Sequence, residues 1–218
     1  KPIIIHTLEV FENQTDIDAI VVSCLKEWID HLGELLRIYH IKKVRKIVPG
    51  GDTGQESIYN GLIAAKEIGG EGAIALIHDG VRPMITERLI SDNIASVKKF
   101  GSAITTGLVT ETLLEIDEET EEINRVPERK NSRVAKAPQS FWLRDILEAH
   151  ERAKAEEKSD FIDSCTMMAH YGYPLHLVDG PSQNIKITTQ EDFYLMRAIL
   201  EARENEQLYA DSEGARYE

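Results

Sequence analysis

Ala73-Ile74-Ala75-Leu76-Ile77-His78-Asp79-Gly80-Val81-Arg82-Pro83 is an apolar run that ends abruptly in an acid, a glycine, a base and a proline. Five consecutive apolar residues without alternation predict a strand covered on both faces, as in a parallel sheet. In open sheets of this kind, ligands bind just beyond the carboxyl ends of the strands, where we expect Asp79. The same residues also suit a plain β-turn in which Asp79 caps its own backbone, so both readings stay open at this point.

Length, charge and cysteine content narrow the class of protein. A chain of 218 residues with 42% hydrophobic content fits one α/β domain, expected over residues 1–208, and a polar tail over 209–218. The formal charge of −13 argues against non-specific nucleic-acid binding. Cys24 and Cys165 lie far apart and suggest neither a disulfide scaffold nor a zinc site. No apolar run approaches the ~20 residues that cross a membrane and no signal-peptide pattern is present, so we expect a soluble, cytoplasmic protein.

Strand and helix patterns alternate along most of the chain, as in βαβ units. The strands are predicted at 19–23, 44–48, 73–77, 103–109, 175–178 and 184–188. The helices are predicted at 3–11, 28–39, 57–67, 86–100, 141–157, 164–171 and 189–208, the last beginning with a capping box at Thr189 to Asp192. This alternation predicts an α/β fold.

A glycine-bearing loop, Pro49 to Ser57, joins the second strand to a helix. Backbone N–H groups in such a loop, together with the helix dipole, can hold an anion. A Gly-rich connection with no ligand is at least as common, so the motif alone does not decide.

The alternation breaks between residues 113 and 126. Two short strands, 113–116 and 123–126, are predicted to form a hairpin around an acidic tip of solvated charge. The segment 127–136 then carries four basic side chains within eight residues. These could bind a phosphate, although residue types alone slightly favour salt bridges to the acidic hairpin.

A carboxylate at a strand end, a Gly-rich loop at a helix start and scattered cations together suit a divalent metal and phosphates. Asp79 can ligate Mg²⁺, which prefers one or two carboxylates plus substrate phosphates. Lys186 and Arg129 can offset charge on a phosphoryl group. No P-loop or Gly-x-Ser-x-Gly elbow is present, and His78 is interpreted as a structural residue.

Five ordered blocks resemble the 2-C-methyl-D-erythritol 4-phosphate cytidylyltransferases and the related ribitol-5-phosphate cytidylyltransferases. The blocks are Lys1-Pro2-Ile3-Ile4-Ile5-His6-Thr7, Gly50-Gly51 with Ser57 and Gly61-Leu62, His78-Asp79-Gly80-Val81-Arg82-Pro83, Ala137-Pro138-Gln139-Ser140-Phe141, and Asn184-Ile185-Lys186-Ile187-Thr188. The resemblance extends to about residue 205.

The resemblance implies a Rossmann-like, glycosyltransferase-A-like three-layer sandwich with a mostly parallel sheet, which moves CMP from CTP to a polyol phosphate and releases pyrophosphate. It also implies a homodimer, with a β-hairpin arm at about 112–130. The implied catalytic residues are Asp79, which holds Mg²⁺, Lys186 and Arg129. The implied nucleotide-binding residues are Gly50, Gly51, Asp52 and Ser57. The implied acceptor-binding residues are Arg82, Thr112 and Arg129, of which the last two would reach the neighbour's acceptor phosphate.

Departures from the family pattern bear mainly on the acceptor. Gly54 stands where the resemblance implies an Arg, Thr110-Glu111-Thr112 replaces Arg/Lys-Asp-Thr, and Ala137 replaces a Thr. In the family pattern, a first strand and a Gly-rich loop that carries an Arg and a Lys precede the position of Lys1. Without that loop, the alternative function is that of a catalytically inactive, nucleotide-binding homologue. We place methylerythritol phosphate narrowly ahead of ribitol or another polyol phosphate as acceptor.

Overall fold

The computed structural model describes residues 1–214, in which helices and strands alternate. The helices are α1 (Ile3–Asn13), α2 (Ile29–Ile38), α3 (Gly54–Gly69), α4 (Glu87–Phe100), α5 (Leu143–Ala155), α6 (Ser164–His170) and α7 (Gln190–Gly214). The strands are β1 (Ile20–Cys24), β2 (Val44–Pro49), β3 (Ile74–Ile77), β4 (Ser102–Leu108), β5 (Glu115–Ile116), β6 (Ile123–Arg125), β7 (Arg133–Trp142) and β8 (Leu177–Asp179). The α/β prediction is confirmed.

The strands pair in three groups. β1 and β2 form a parallel pair, and β5 and β6 form the small antiparallel hairpin. The four-stranded sheet has the order β3-β7-β4-β8, with β7 antiparallel to both neighbours and β4 parallel to β8. The sheet is therefore mixed, and the end of β3 opens beside the middle of β7.

Helices cover both faces of the four-stranded sheet. One core cluster packs Phe141 and Ile104 against α3, α5 and α6, and the other packs Ala103 against α1 and α4. Adjacent residues of β4 thus point into opposite cores, as the pleat requires. Phe141 is fully buried, and burying a side chain of this kind stabilises the fold by roughly 1.5–3 kcal/mol. The three-layer arrangement follows.

Several helices begin at a capping side chain, and the one at Thr189 was predicted from the sequence. Thr53 and Thr86 accept hydrogen bonds from the N–H groups of Glu56 and Leu89. Asp192 accepts from the N–H of Thr189 at 2.9 Å, while the Thr189 hydroxyl accepts from the N–H of Asp192 at 3.2 Å. This reciprocal pair confirms the capping box, because two N–H groups with no intrahelical partner are satisfied together.

The structure differs most from the predictions in three places. Residues 133–142 form β7, where a basic loop and the start of a helix were predicted, so the helix begins only at Leu143. Residues 184–188 form no strand, because their hydrogen bonds go to the turn after β3 instead of a ladder. Helix α7 continues to Gly214, past the predicted end near Leu208, and residues 215–218 of the predicted tail lie outside the described residues.

The hairpin of β5 and β6 confirms the predicted break in the alternation. We call residues 112–130 the arm. Three of its apolar side chains, Leu114, Ile116 and Ile123, are more than half exposed. Arg125 pairs with Glu115 at 3.5 Å and Lys130 with Glu128 at 3.2 Å, so these basic side chains bond locally.

In the described part of the chain, no helix is long and apolar enough to cross a membrane.

Candidate functional site

The turn that follows β3 is fixed from both sides. Within the turn, the N–H of Arg82 donates to the carbonyl of Asp79 at 3.0 Å. From α1, the Thr7 hydroxyl donates to the carbonyl of Gly80 at 2.8 Å. A Cβ at position 80 would lie 2.7 Å from Cδ1 of Ile4, so the glycine lets the Ile4 side chain of α1 pack directly against the turn. The chain therefore presents Asp79 from a rigid turn.

Two cations hold the carboxylate of Asp79. Nε of Arg82 donates to one carboxylate oxygen at 2.8 Å, and Nζ of Lys186 lies 3.3 Å from the other. Burial raises the pKa of Asp79, but the Arg82 hydrogen bond and the Lys186 charge outweigh burial and keep that pKa below its usual value. Asp79 is therefore ionised at neutral pH, and both oxygens face positive charge.

Lys186 reaches Asp79 because the segment before α7 is bonded to the turn after β3. Nη1 of Arg82 donates to the carbonyl of Asn184 at 3.1 Å, and the N–H of Ile187 donates to the carbonyl of Val81 at 2.8 Å. The fully buried Asn184 also donates to the carbonyl of Ala137 on β7 at 2.7 Å. Three distant stretches of chain are thus joined around one carboxylate.

A cavity of about 390 Å³ opens beside this cluster. Its wall comes from the end of β3, the start of α3, the middle of β7, the loop before α6, and Lys186. The charged residues in that wall are Asp79, Arg82, Lys136, Asp163 and Lys186. Three cations against two carboxylates favour an anionic ligand, in contrast to the acidic chain as a whole.

The loop of Gly50 to Ser57 is built from its own hydrogen bonds. The Ser57 hydroxyl accepts from the N–H of Gly51 at 3.0 Å, and Glu56 accepts from the N–H of Asp52 at 2.8 Å. A Cβ at Gly51 would lie 2.2 Å from the Glu56 side chain, so only glycine fits. Gly54 and Gln55 of this loop line the cavity, whereas the predicted nucleotide-binding residues Gly50, Gly51, Asp52 and Ser57 do not.

The inner end of the cavity contains residues that the sequence analysis did not single out. Asp163 accepts from Gln139 at 2.9 Å, and Gln139 accepts from the N–H of Cys165 at 2.8 Å. Burial and the adjacent Asp163 charge raise the pKa of Cys165 to about 11, so this thiol is no nucleophile at neutral pH. Only Gln139 had a sequence signal, from its place in the Ala137 to Phe141 block.

Two histidines of the cavity wall are neutral. Burial lowers the pKa of His78 to about 4 and that of His150 to about 4. His78 shares a 3.1 Å hydrogen bond with the carbonyl of Arg82, which fits the structural role interpreted from the sequence.

Thr112 and Arg129 lie on the arm and do not contribute to the cavity wall of their own chain. Nη2 of Arg129 lies 3.4 Å from the Thr112 hydroxyl, and this contact is exposed. The two predicted acceptor-binding residues are therefore neighbours of each other, while Arg82 is the predicted acceptor-binding residue that lies inside the cavity.

An α/β fold with a strand-end cavity and cations around a carboxylate is typical of enzymes that act on phosphorylated substrates. The sequence model of the IspD family, described as 2-C-methyl-D-erythritol 4-phosphate cytidylyltransferase, matches residues 1–202. The chain belongs to this cytidylyltransferase family, and it is a nucleotidyltransferase.

The names of individual relatives specify two different acceptor substrates. A ribitol-5-phosphate cytidylyltransferase of Vibrio parahaemolyticus is 50% identical over 209 residues, which cover 96% of this chain and 87% of that protein. A 2-C-methyl-D-erythritol 4-phosphate cytidylyltransferase of Clostridium botulinum is 36% identical over 201 residues, covering 92% and 86%. The crystal structure of 4-diphosphocytidyl-2C-methyl-D-erythritol synthase from Anaerococcus prevotii matches with a TM-score of 0.81 at 28% identity, covering 92% and 86%. The family resemblance and the Rossmann-like fold are confirmed.

Proposed function

We propose that the chain transfers CMP from CTP to ribitol 5-phosphate, with release of pyrophosphate. The observation that carries the proposal is the 50% identity to a ribitol-5-phosphate cytidylyltransferase, against 36% to a methylerythritol phosphate enzyme at similar coverage. This corrects the order given by the sequence analysis, which placed methylerythritol phosphate first. That order rested on blocks which the two groups of enzymes share.

In the proposed reaction, a phosphate oxygen of the acceptor attacks the α-phosphorus of CTP, and the bond to the β-phosphate oxygen breaks. Negative charge grows on the transferring group and on the departing pyrophosphate. Lys186 and Arg82 lie at the cavity wall beside Asp79 and can bind those oxygens. The Gly50 to Ser57 loop and the start of α3 would hold the nucleoside end.

Mg²⁺ is the metal we propose, and Asp79 is the residue that would hold it. One ionised carboxylate in a cavity for phosphates fits Mg²⁺, which takes one or two carboxylates and fills its remaining positions with phosphate oxygens and water. When bound, the ion would neutralise phosphate charge. Among the described residues no set of three or more His, Cys, Asp and Glu side chains surrounds a metal position, so substrate oxygens would supply most of the ligands.

We further propose that the chain forms a homodimer through the arm. We also propose that the enzyme operates in the cytoplasm, where CTP is made. A two-stranded hairpin with exposed Leu114, Ile116 and Ile123 has little core of its own and is marginal in water unless it packs on a partner. In a two-fold dimer the arm of one subunit would carry Arg129 and Thr112 to the acceptor of the other.

Pyrophosphate release tests the proposal directly. The protein is incubated with Mg²⁺, CTP and either ribitol 5-phosphate or methylerythritol phosphate, and then with ATP in place of CTP. We expect kcat/KM to be at least tenfold higher for ribitol 5-phosphate and for CTP, since each lost polar contact costs about 1–3 kcal/mol. A preference for methylerythritol phosphate would overturn the acceptor, and equal use of ATP would overturn the cytidine specificity.

A further inference from the structure

Lys136 is a cation of the cavity wall to which none of the roles above applies. It lies on β7 between Ala135 and Ala137, and all three residues line the cavity. Its aliphatic chain crosses Gly107 of β4, where a Cβ would lie 2.9 Å from Cε of Lys136. The absence of a side chain at position 107 thus leaves room for the lysine to lie along the sheet and end in the cavity.

Lys136 has no ion-pair partner among the side chains that the structure describes. Its Nζ lies 3.5 Å from the carbonyl of Ser182, and none of the described carboxylates pairs with it. Of the two acids in the cavity wall, Asp79 faces Arg82 and Lys186, and Asp163 accepts from Gln139. Burial, followed by the charge of Arg82, lowers the pKa of Lys136, as expected for an ammonium group that is partly desolvated beside another cation. A partly buried charge of this kind is stabilised when an anion binds.

The position of Lys136 in the sheet indicates which substrate anion it would bind. The nucleotide loop leads into α3, which contacts β1, β2 and β3, whereas Lys136 lies beside Gly107 of β4, on the other side of β7 from β3. Asp79, at the end of β3, lies between the two. The arm also leaves the sheet after β4 and returns into β7, so Lys136 sits near its base. Lys136 is therefore on the acceptor side of the cavity.

We propose that Lys136 binds the phosphate of the polyol-phosphate acceptor and selects for a phosphorylated over an unphosphorylated polyol. The inference rests on the proposed function and adds a residue to the same site. Because the lysine comes from the subunit that holds Asp79, it would act beside an arm residue supplied by the other subunit.

The test compares Lys136→Met with wild type, using Lys66→Met as a matched control. Lys66 pairs with Glu71 on an exposed part of α3 and lies outside the cavity wall. Calorimetry measures binding of ribitol 5-phosphate and of ribitol, and steady-state kinetics gives KM for each substrate. We expect Lys136→Met to weaken ribitol 5-phosphate binding about tenfold or more, to raise the acceptor KM similarly, and to leave the CTP KM within about twofold. Lys136→Arg should recover most of the affinity.

The outcomes separate the two proposals. Wild type that neither binds nor uses ribitol 5-phosphate overturns the proposed function and this inference together. Wild type that uses it, with unchanged acceptor affinity in Lys136→Met, overturns this inference alone, as does an equal rise in the CTP KM. If Lys136→Met lowers the melting temperature, Lys136→Gln, which keeps a polar side chain over Gly107, provides the same comparison in a folded protein.

Discussion

Asp79 is the residue on which the proposed chemistry depends most. Asp79→Asn keeps the size of the side chain and the backbone turn to Arg82 but removes the charge that faces Arg82 and Lys186. We expect turnover to fall by about 100-fold or more, because a neutral amide is a poor Mg²⁺ ligand and leaves the two cations without a counter-charge. Circular dichroism should show an unchanged fold. Near-wild-type pyrophosphate release from this variant would restore the plain-turn interpretation of the sequence.

The buried His150 should make the free energy of unfolding depend on pH. Its pKa is lowered from 6.5 to about 4 by burial, and the side chain is 3% exposed. Above pH 6.5 the folded and unfolded chains are both neutral at this position. Between pH 6.5 and about 4 only the unfolded chain takes up the proton, so the free energy of unfolding falls as pH falls, by up to about 3 kcal/mol.

Urea denaturation at pH 7 and at pH 5 measures this effect. His150→Leu should lose less unfolding free energy than wild type between the two pH values, whatever its stability at pH 7. The exposed His31 supplies the control, since His31→Gln should keep the wild-type difference. An identical pH difference in His150→Leu and wild type would contradict the prediction.

At the scale of elements, the loop before α3 should act as a unit. The Ser57 hydroxyl accepts from the N–H of Gly51 and donates to the carbonyl of Thr53 at 2.9 Å. Ser57→Ala therefore leaves the N–H of Gly51 without this partner, while the carbonyl of Thr53 keeps its bond from the N–H of Ser57. We expect the variant to lose about 1–2 kcal/mol of unfolding free energy and to raise the CTP KM, with the acceptor KM unchanged. Ser96→Ala on α4, which also loses a hydrogen bond to a backbone carbonyl, should affect stability but not the CTP KM.

Elements with a strong local pattern could be predicted from the sequence, and elements defined by their neighbours could not. The strand Ile74–Ile77 is apolar throughout, Ile20–Cys24 is apolar apart from Ser23, and Thr189 with Asp192 sets the start of α7. β7 begins with polar and basic residues, and it is a strand because β3 and β4 pair with it on both sides. Long-range pairing of this kind overrides local propensity.

In the site, too, some residues could be predicted from a local sequence pattern and others depend on contacts between distant parts of the chain. Asp79 follows from the pattern of β3, whereas its contact with Lys186 depends on hydrogen bonds between the segment before α7 and the turn at Arg82, which no local motif encodes. The family resemblance supplied Lys186 in advance. It did not supply Lys136, whose side chain lies across Gly107 of the neighbouring strand, a contact that no local motif encodes.

At the scale of the whole molecule, the arm predicts active sites shared between subunits. Arg129 and Thr112 contact each other on the exposed arm and lie outside their own chain's cavity wall. If they serve the partner's site, Arg129→Ala should raise the acceptor KM and leave the CTP KM nearly unchanged, since Arg129 would touch only one substrate. Steady-state kinetics with each substrate varied in turn distinguishes this from a general loss, in which both KM values would change.

Mixing two impaired variants, assayed at an acceptor concentration far below the KM of Arg129→Ala, tests whether the arm acts in trans. In a heterodimer of Arg129→Ala and Asp79→Asn chains, one site carries both changes and the other carries neither. Equal mixing with free exchange makes half of the dimers heterodimers, so about a quarter of the wild-type activity should return. Asp79→Asn mixed with the double variant Asp79→Asn, Arg129→Ala is the control, because no combination of those chains contains an intact Asp79. If mass spectrometry shows heterodimers and activity stays at the level of the separate variants, Arg129 acts within its own subunit or not at all.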